Sequence, residues 1–204
     1  DGSYSQTQLT ADYVDGDDRF GTSVAVSADG SAIVAGAPEN QYGNVYGAVY
    51  VYRLESDGSY SQTRLTASDV SAGSVLGYSV AISPDGSTIV AGALGGFVNG
   101  EETGTVYIYR LQGDGSYSET VLAANDGAVG DFFGLSVEVS ADGSAIVVGA
   151  PGDRGNGNAS GSVYVFDADG NQIAKLTAND DALYDVFGSP VSVSEDGVVK
   201  RNGQ

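Results

Sequence analysis

The chain contains no cysteine, histidine, methionine or tryptophan, and the first two absences each remove a class of chemistry. Without cysteine there are no disulfides, no thiolate nucleophile and no cysteine-ligated metal. Without histidine the commonest general base and transition-metal ligand are gone. Basic residues are scarce, 8 against 27 acidic ones, for a formal net charge of −19 over 204 residues. A surface of that sign opposes nucleic acid and anionic membranes, so neither is expected as a partner. The only lysines are Lys175 and Lys200. Such acidity suits a salty medium, where carboxylate repulsion is screened over roughly 3–8 Å, and equally an ordinary acidic surface. No apolar run approaches the roughly 18 residues that span a bilayer, so no membrane insertion is expected. No charged-then-apolar leader precedes Asp1, and the chain opens without methionine in mid-phrase, which predicts a processed or excised piece of something larger.

Proline is also rare, with four against 31 glycines, which points to many tight turns rather than to disorder. What is present is repetition. Asp1-Gly2-Ser3-Tyr4-Ser5-Gln6-Thr7 returns at Asp57-Gly58-Ser59-Tyr60-Ser61-Gln62-Thr63, at Asp114-Gly115-Ser116-Tyr117-Ser118-Glu119-Thr120, and more loosely from Asp169-Gly170. A near-constant period of this size marks a solenoid, propeller or array whose units bury their apolar faces against one another. The reading is therefore one array over residues 1–204, with repeats at about 1–56, 57–113, 114–168 and a truncated 169–204.

Within the first copy, Ser23-Val24-Ala25-Val26-Ser27 alternates with period two, and Ala28-Asp29-Gly30 is a turn signal before Ala32-Ile33-Val34-Ala35-Gly36-Ala37. That is a β-hairpin of strands A and B. Equivalent turns stand at Asp85-Gly86, Asp142-Gly143 and Asp196-Gly197. A third run, Ala48-Val49-Tyr50-Val51-Tyr52, has the valine and tyrosine alternation of a half-buried pleated strand, C. The more polar Tyr60-Ser61-Gln62-Thr63-Arg64-Leu65-Thr66 supplies an outermost strand D. Four strands and generous loops in 55–57 residues describe a propeller blade better than a β-solenoid coil, whose period is usually shorter. The fold class read is all-β: a β-propeller of four-stranded blades, about three full blades plus partial ones.

Before strand A stand Arg19-Phe20-Gly21, Val75-Leu76-Gly77, Phe132-Phe133-Gly134 and Val186-Phe187-Gly188. Strand B ends in Gly36-Ala37-Pro38, Gly92-Ala93-Leu94 and Gly149-Ala150-Pro151. In these phrases the chain resembles the FG-GAP repeat, over essentially its whole length. The resemblance implies an integrin-α-like β-propeller of the form common in secreted and cell-surface bacterial proteins. Physically, a phenylalanine or leucine once per repeat (Phe20, Leu76, Phe133, Phe187) can plug the space between blades. The glycines beside them (Gly21, Gly77, Gly134, Gly188) and the Gly-Ala pairs let backbones approach closely. Calcium-binding members place an Asp-x-Asp-x-Asp-Gly-like loop between strands A and B. Here that hairpin holds one carboxylate, too few for the 6–8 oxygens calcium usually takes, so the family's calcium site is not carried over.

Two other loops per repeat are long enough to carry function. In the first D–A loop, Asp12, Asp15, Asp17 and Asp18 form the densest carboxylate cluster and can hold a hard cation, calcium being the candidate, or simply cap turns. Asp18, Asp131 and Asp185 share one place before the aromatic-glycine pair. The B–C loops differ most among copies, which is where binding specificity sits on a rigid scaffold. Tyr42 and Tyr46 can stack on a sugar or peptide, and Asp153, Asn156 and Asn158 can bind a cation or a polar ligand. No nucleophile elbow, phosphate-cradling loop or metal-ligand histidine pair is present, and the reading is non-enzymatic, with no cofactor required.

In the fourth copy Val198-Val199-Lys200-Arg201 replaces the small residues of strand B, so that strand is expected to fade after a strand A near residues 190–194. A leading D strand is expected at the start, with no strand C of its own to pair with. The expected function is an extracellular or cell-surface module that binds a protein or carbohydrate ligand, as in adhesion. The alternative is a structural subunit that self-associates through open blade edges into a layer or filament.

Overall fold

The computed structural model describes residues 6–12, 17–39, 47–69, 74–98, 101–155, 160–178 and 185–194. These hold fourteen strands and no helix. Blade 1 is β1 (Val24–Val26), β2 (Ala32–Ala37), β3 (Ala48–Leu54) and β4 (Tyr60–Leu65), paired antiparallel in that order. Blade 2 is β5 (Leu76–Ile82), β6 (Thr88–Ala93), β9 (Thr105–Leu111) and β10 (Tyr117–Leu122). Its B–C loop carries an extra hairpin, β7 (Phe97–Val98) with β8 (Glu101–Glu102). Blade 3 is β11 (Ser136–Val139), β12 (Ala145–Ala150), β13 (Ser162–Asp167) and β14 (Gln172–Thr177).

The A–B turns show why the Ser-x-Asp-Gly-Ser phrase recurs. Ser27 donates to Asp29 Oδ1 at 2.7 Å, the Ser31 amide donates to the same oxygen at 2.9 Å, and the Ala32 amide donates to Ser27 Oγ at 2.9 Å. The same triads form around Asp85 and Asp142. Each carboxylate is consumed by its own turn.

A blade has a leading face, toward the blade before it, and a trailing face, toward the blade after it. One core cluster joins the trailing side of blade 1 (Val34, Val49, Val51, Leu65) to the leading side of blade 2 (Val80, Ile82, Ile89, Tyr107). A second joins the trailing side of blade 2 (Val90, Val106, Ile108) to the leading side of blade 3 (Val137, Val139, Ile146, Tyr164). Phe133 is completely buried in that second seam, edge-on to Tyr164 and Phe166 with centroids 5.5 and 5.9 Å away. Leu76 lies in the first seam, Phe20 packs edge-on to Tyr50 at 5.6 Å, and Phe187 bridges Gly161.

The two glycine phrases meet across each seam. A Cβ on Gly36 would stand 1.9 Å from the Gly77 carbonyl oxygen, one on Gly92 2.0 Å from that of Gly134, and one on Gly149 1.9 Å from that of Gly188. Within blades, the Gly21 amide donates to the Gly36 carbonyl and that of Gly134 to Gly149. A file of glycine backbones thus runs through all three blades.

Two expected strands are absent among the described residues. Residues 6–12 form none, because a D strand needs its own strand C. They lie instead on the leading side of blade 1, where Leu9 and Ala11 join Ala35, Ala37, Tyr50 and Tyr52. Residues 185–194 also form no strand, only single bridge positions at Phe187, which pairs with Gly161, and at Val193. Pro190 has no amide to donate there. The expected fade of strand B at residues 198–201 lies outside the described residues. The three sheets do not close into a ring.

Candidate functional site

The most developed polar constellation sits on blade 3, where the D–A loop, the B–C loop and strands C and D converge. Lys175 on β14 places Nζ 2.6 Å from Asp126 Oδ2 and 2.6 Å from Asp153 Oδ2, and 5.1 Å from the centre of the Tyr164 ring. The Tyr164 hydroxyl donates to Asp153 Oδ2 at 2.7 Å and reaches Asp126 Oδ1 at 3.0 Å. Asp153 Oδ1 accepts the Gly155 amide at 2.7 Å, and Asp131 Oδ2 accepts the Ala128 amide at 2.8 Å. Burial opposes the charge on Asp153, but the hydrogen bonds from Lys175 and Tyr164 outweigh it and hold the carboxyl below its ordinary value. Burial likewise opposes the charge on Lys175, and the two carboxylates outweigh it and raise the ammonium above its ordinary value. Burial dominates at Asp131 and pushes its carboxyl up. The result is a fixed ion-pair network that pins two loops to the sheet. Its carboxylates, amine and hydroxyl are committed to one another.

Copies within the chain vary this network as a unit. The place of Lys175 is held by Arg64 in blade 1 and Val121 in blade 2, that of Asp131 by Asp18 and Ser74, and that of Asp153 in blade 2 by Gly96. Burial dominates at the Tyr50 hydroxyl and raises its pKa, while Arg64 opposes that shift and Asp18 adds to it. In blade 2, with the cation gone, two of the carboxylates are gone as well, and Tyr107 keeps only its 2.6 Å hydrogen bond to Asp69. Removing an ion and its counter-ions together is what the cost of burying unpaired charge demands.

Of the sequence-selected residues, Asp153 belongs to this network and is 4% exposed. Asp12 is exposed, its amide facing Gln62 and its carbonyl accepting Tyr50. Asp17 is exposed and Asp18 buried. Among the described residues no group of three or more carboxylates is arranged to hold a metal ion. Tyr42, Tyr46, Asp15, Asn156 and Asn158 lie outside the described residues. Asp126, Tyr164 and Lys175 were not selected from sequence. The signal was a rare lysine standing where another copy has Arg64.

A second feature lies at the rim between blades 2 and 3. Leu94, Glu102, Val129, Gly130 and Phe132 line a cleft of about 150 Å³. Val129 is 65% and Phe132 51% exposed. Phe132 is held at a φ of 55°, in the left-handed region. It is an aromatic side chain presented to solvent between a B–C loop and a D–A loop.

Three consecutive four-stranded meanders, seamed face to face, define an incomplete β-propeller. The FG-GAP repeat profile matches residues 4–52, 60–109, 118–166 and 171–199, so the chain belongs to the FG-GAP repeat family. Family and fold together define an array of FG-GAP β-propeller blades. Among solved structures it is similar to the WD40 repeats of RRP9 (17% identity, TM-score 0.48, covering 85% of this chain and 40% of that one). It is also similar to Saccharomyces cerevisiae Sqt1 (13%, 0.48, covering 81% and 38%). A eukaryotic initiation factor aligns at 13% identity with a TM-score of 0.51, over 85% of this chain and 35% of that one, a likeness of fold alone. The chain spans 35–40% of the length of these structures. No curated protein matches significantly.

Proposed function

We propose that this chain is a non-enzymatic, extracellular propeller module that binds a protein or carbohydrate ligand through its loop rim, in adhesion or a related contact. The observation that carries the reading is the cleft between blades 2 and 3, where Phe132 and Val129 are exposed beside Leu94 and Glu102. Exposed aromatic and aliphatic groups on a rigid rim supply contact area at low entropic cost. The ion-pair network of blade 3 supports the reading, since it pins the neighbouring loops before any ligand arrives. No cofactor is required. Calcium, if it acts, belongs to the acidic segment from Asp12 to Asp18.

The test is adhesion of protein-coated beads to panels of immobilised matrix proteins and polysaccharides. A Val129→Ser/Phe132→Ser double variant should lose binding at least 10-fold while keeping its thermal midpoint. Equal binding by the variant would move the contact elsewhere. A second reading, a subunit of a self-assembled layer, is favoured by the exposure of Val24 and Val26 on the leading face of blade 1. Light scattering over a concentration series separates the two, a constant monomer mass excluding the second.

A further inference from the structure

The repeats act as controls for one another, and they single out one polar cluster in the seam between blades 1 and 2. Each blade sets a strand C tyrosine across the sheet from one residue of strand D. In blade 3 the pair is Tyr164 and Lys175, and Asp126 takes the Tyr164 hydroxyl on Oδ1 at 3.0 Å and the Lys175 ammonium on Oδ2 at 2.6 Å. In blade 1 the pair is Tyr50 and Arg64. In blade 2 it is Tyr107 and Val121, and Val121 is 45% exposed. Asp69, at the place of Asp126, accepts the Tyr107 hydroxyl on Oδ1 at 2.6 Å. Its Oδ2, the counterpart of the oxygen that takes Lys175, accepts nothing among the described residues.

One row along the same strands, blade 2 adds a second carboxylate. Blades 1 and 3 have a glutamine there, Gln62 or Gln172, whose oxygen takes a loop amide, that of Asp12 at 3.3 Å or of Asn125 at 3.0 Å. Blade 2 has Glu119, which accepts the Ser68 amide at 3.2 Å and the Ser68 hydroxyl at 2.5 Å. A glutamine oxygen suffices for the amide contact, so the carboxylate carries a charge that the loop does not need.

Across the sheet from Glu119 stands Tyr109, 3% exposed, whose hydroxyl has no hydrogen-bond partner among the described residues. Its counterpart in blade 1, Tyr52, donates to the Thr10 carbonyl at 3.1 Å, and in blade 3 the place is held by Phe166, which has no hydroxyl. Burial and then Glu119 and Asp69 raise the Tyr109 hydroxyl above its ordinary value, and burial and then Asp69 and Glu119 do so for Tyr107. Both carboxylates therefore face both rings. Arg53, on the facing side of blade 1, is taken up by the Gly86 carbonyl at 2.6 Å and the Tyr117 hydroxyl at 3.0 Å. Among the described residues neither Asp69 nor Glu119 makes an ion pair.

We infer that blade 2 binds, between Asp69, Glu119 and the Tyr109 hydroxyl, the terminal ammonium of an unbranched alkyl chain, the chemistry shared by a lysine side chain and a free polyamine. Blade 3 is the template. There the matching aspartate oxygen and tyrosine ring hold an ammonium that the chain supplies itself, 5.1 Å from the ring centre. In blade 2 the ligand supplies it, with its alkyl chain over Val121, where blade 3 has the stem of Lys175. Asp69 Oδ2 takes one N–H, and Glu119 and the Tyr109 hydroxyl take the other two, which matches the three donors of an ammonium. Calcium fits less well, since two carboxylates and two phenols fall short of the 6–8 oxygens it usually takes. The site is separate from the cleft between blades 2 and 3 and stands or falls without it.

The test is a titration of the 204-residue chain at low salt with cadaverine and with Nα-acetyl-lysine methylamide, followed by backbone amide chemical shifts. Ser68, Asp69 and Glu119 should shift and saturate. The norleucine analogue of the lysine amide, which keeps the alkyl chain without the ammonium, should move none of them. Saturation by cadaverine alone assigns the site to free polyamines, and saturation by both probes assigns it to lysine side chains as well. Val121→Lys places an ammonium where blade 3 has Lys175, so it should raise the thermal midpoint and weaken the probes by about 10-fold or more. Asp69→Asn should weaken them to a similar degree, and decides alone if Val121→Lys does not fold. Failure of both probes to saturate, shifts spread over the acidic surface, or equal binding by the wild type and the variants would overturn the site.

Discussion

The residue before each aromatic-glycine pair is held where side chains are rarely found. Arg19, Val75, Phe132 and Val186 have φ values of 51°, 45°, 55° and 44°. The left-handed region costs an L-residue about 1–2 kcal/mol, and two of the four are β-branched. Val75→Gly should therefore raise stability by about 0.5–1 kcal/mol after the entropic cost of glycine, measured by urea unfolding. Gly92→Ala should act in the opposite direction. Its Cβ would meet the Gly134 oxygen and also Ser79 Oγ, 2.5 Å away, so a loss of about 3 kcal/mol or more is expected in the same measurement. The aromatic-glycine pairs were legible because they recur at one place in every copy. The strain beside them was not, because arginine, valine and phenylalanine carry no sign of a positive φ.

At the scale of strands and turns, stability against pH follows from carboxylates that face hydroxyls and amides. Hydrogen bonds from Ser31, Ser27 and the Ser31 amide lower the Asp29 carboxyl to about 2, and Ser144 and Ser140 do the same for Asp142. Asp57, Asp85, Asp114 and Asp167 are lowered in the same way. A folded pKa below the unfolded one gives stability that is present above about pH 4 and is lost as pH falls through about 2. Burial raises Asp131 and Glu138, whose contribution has the opposite sign and is lost as pH rises through their folded values. The lowered group is larger, so the thermal midpoint should fall between about pH 4 and 2, and Glu138→Gln should raise it at neutral pH. In blade 3, Lys175→Met strands Asp126 and Asp153 and should cost about 2–3 kcal/mol, whereas Lys175→Arg should cost far less, Arg64 being its counterpart. Asp153 was legible as a polar loop residue. Its role was not, since its partner Lys175 is far along the chain and only the sheet brings them together.

For the whole molecule, a net charge of −19 over 204 residues means that like charges repel across the array. Raising sodium chloride from about 0.05 to 1 M shortens the screening length from above 10 Å to about 3 Å and should raise the thermal midpoint. Equal midpoints at the two salt concentrations would show that local ion pairs offset the long-range term. The four strands of each blade and their order were legible because one pattern is printed three times in full, whereas the β7–β8 hairpin was not, since it sits in a loop that the other copies do not share. The ends were not, because a strand's existence there depends on a neighbour that the repeat does not specify. The file of glycines adds a mechanical property. Because blades touch backbone to backbone and, among the described residues, no seam returns from the third blade to the first, a pull between the two ends loads the seams in series. Such a molecule yields one seam at a time, at the force of its weakest, and lengthens in steps of a single blade. A closed hoop of the same blades would hold until it broke at once. Under tension the chain is a ratcheted tether rather than a clamp.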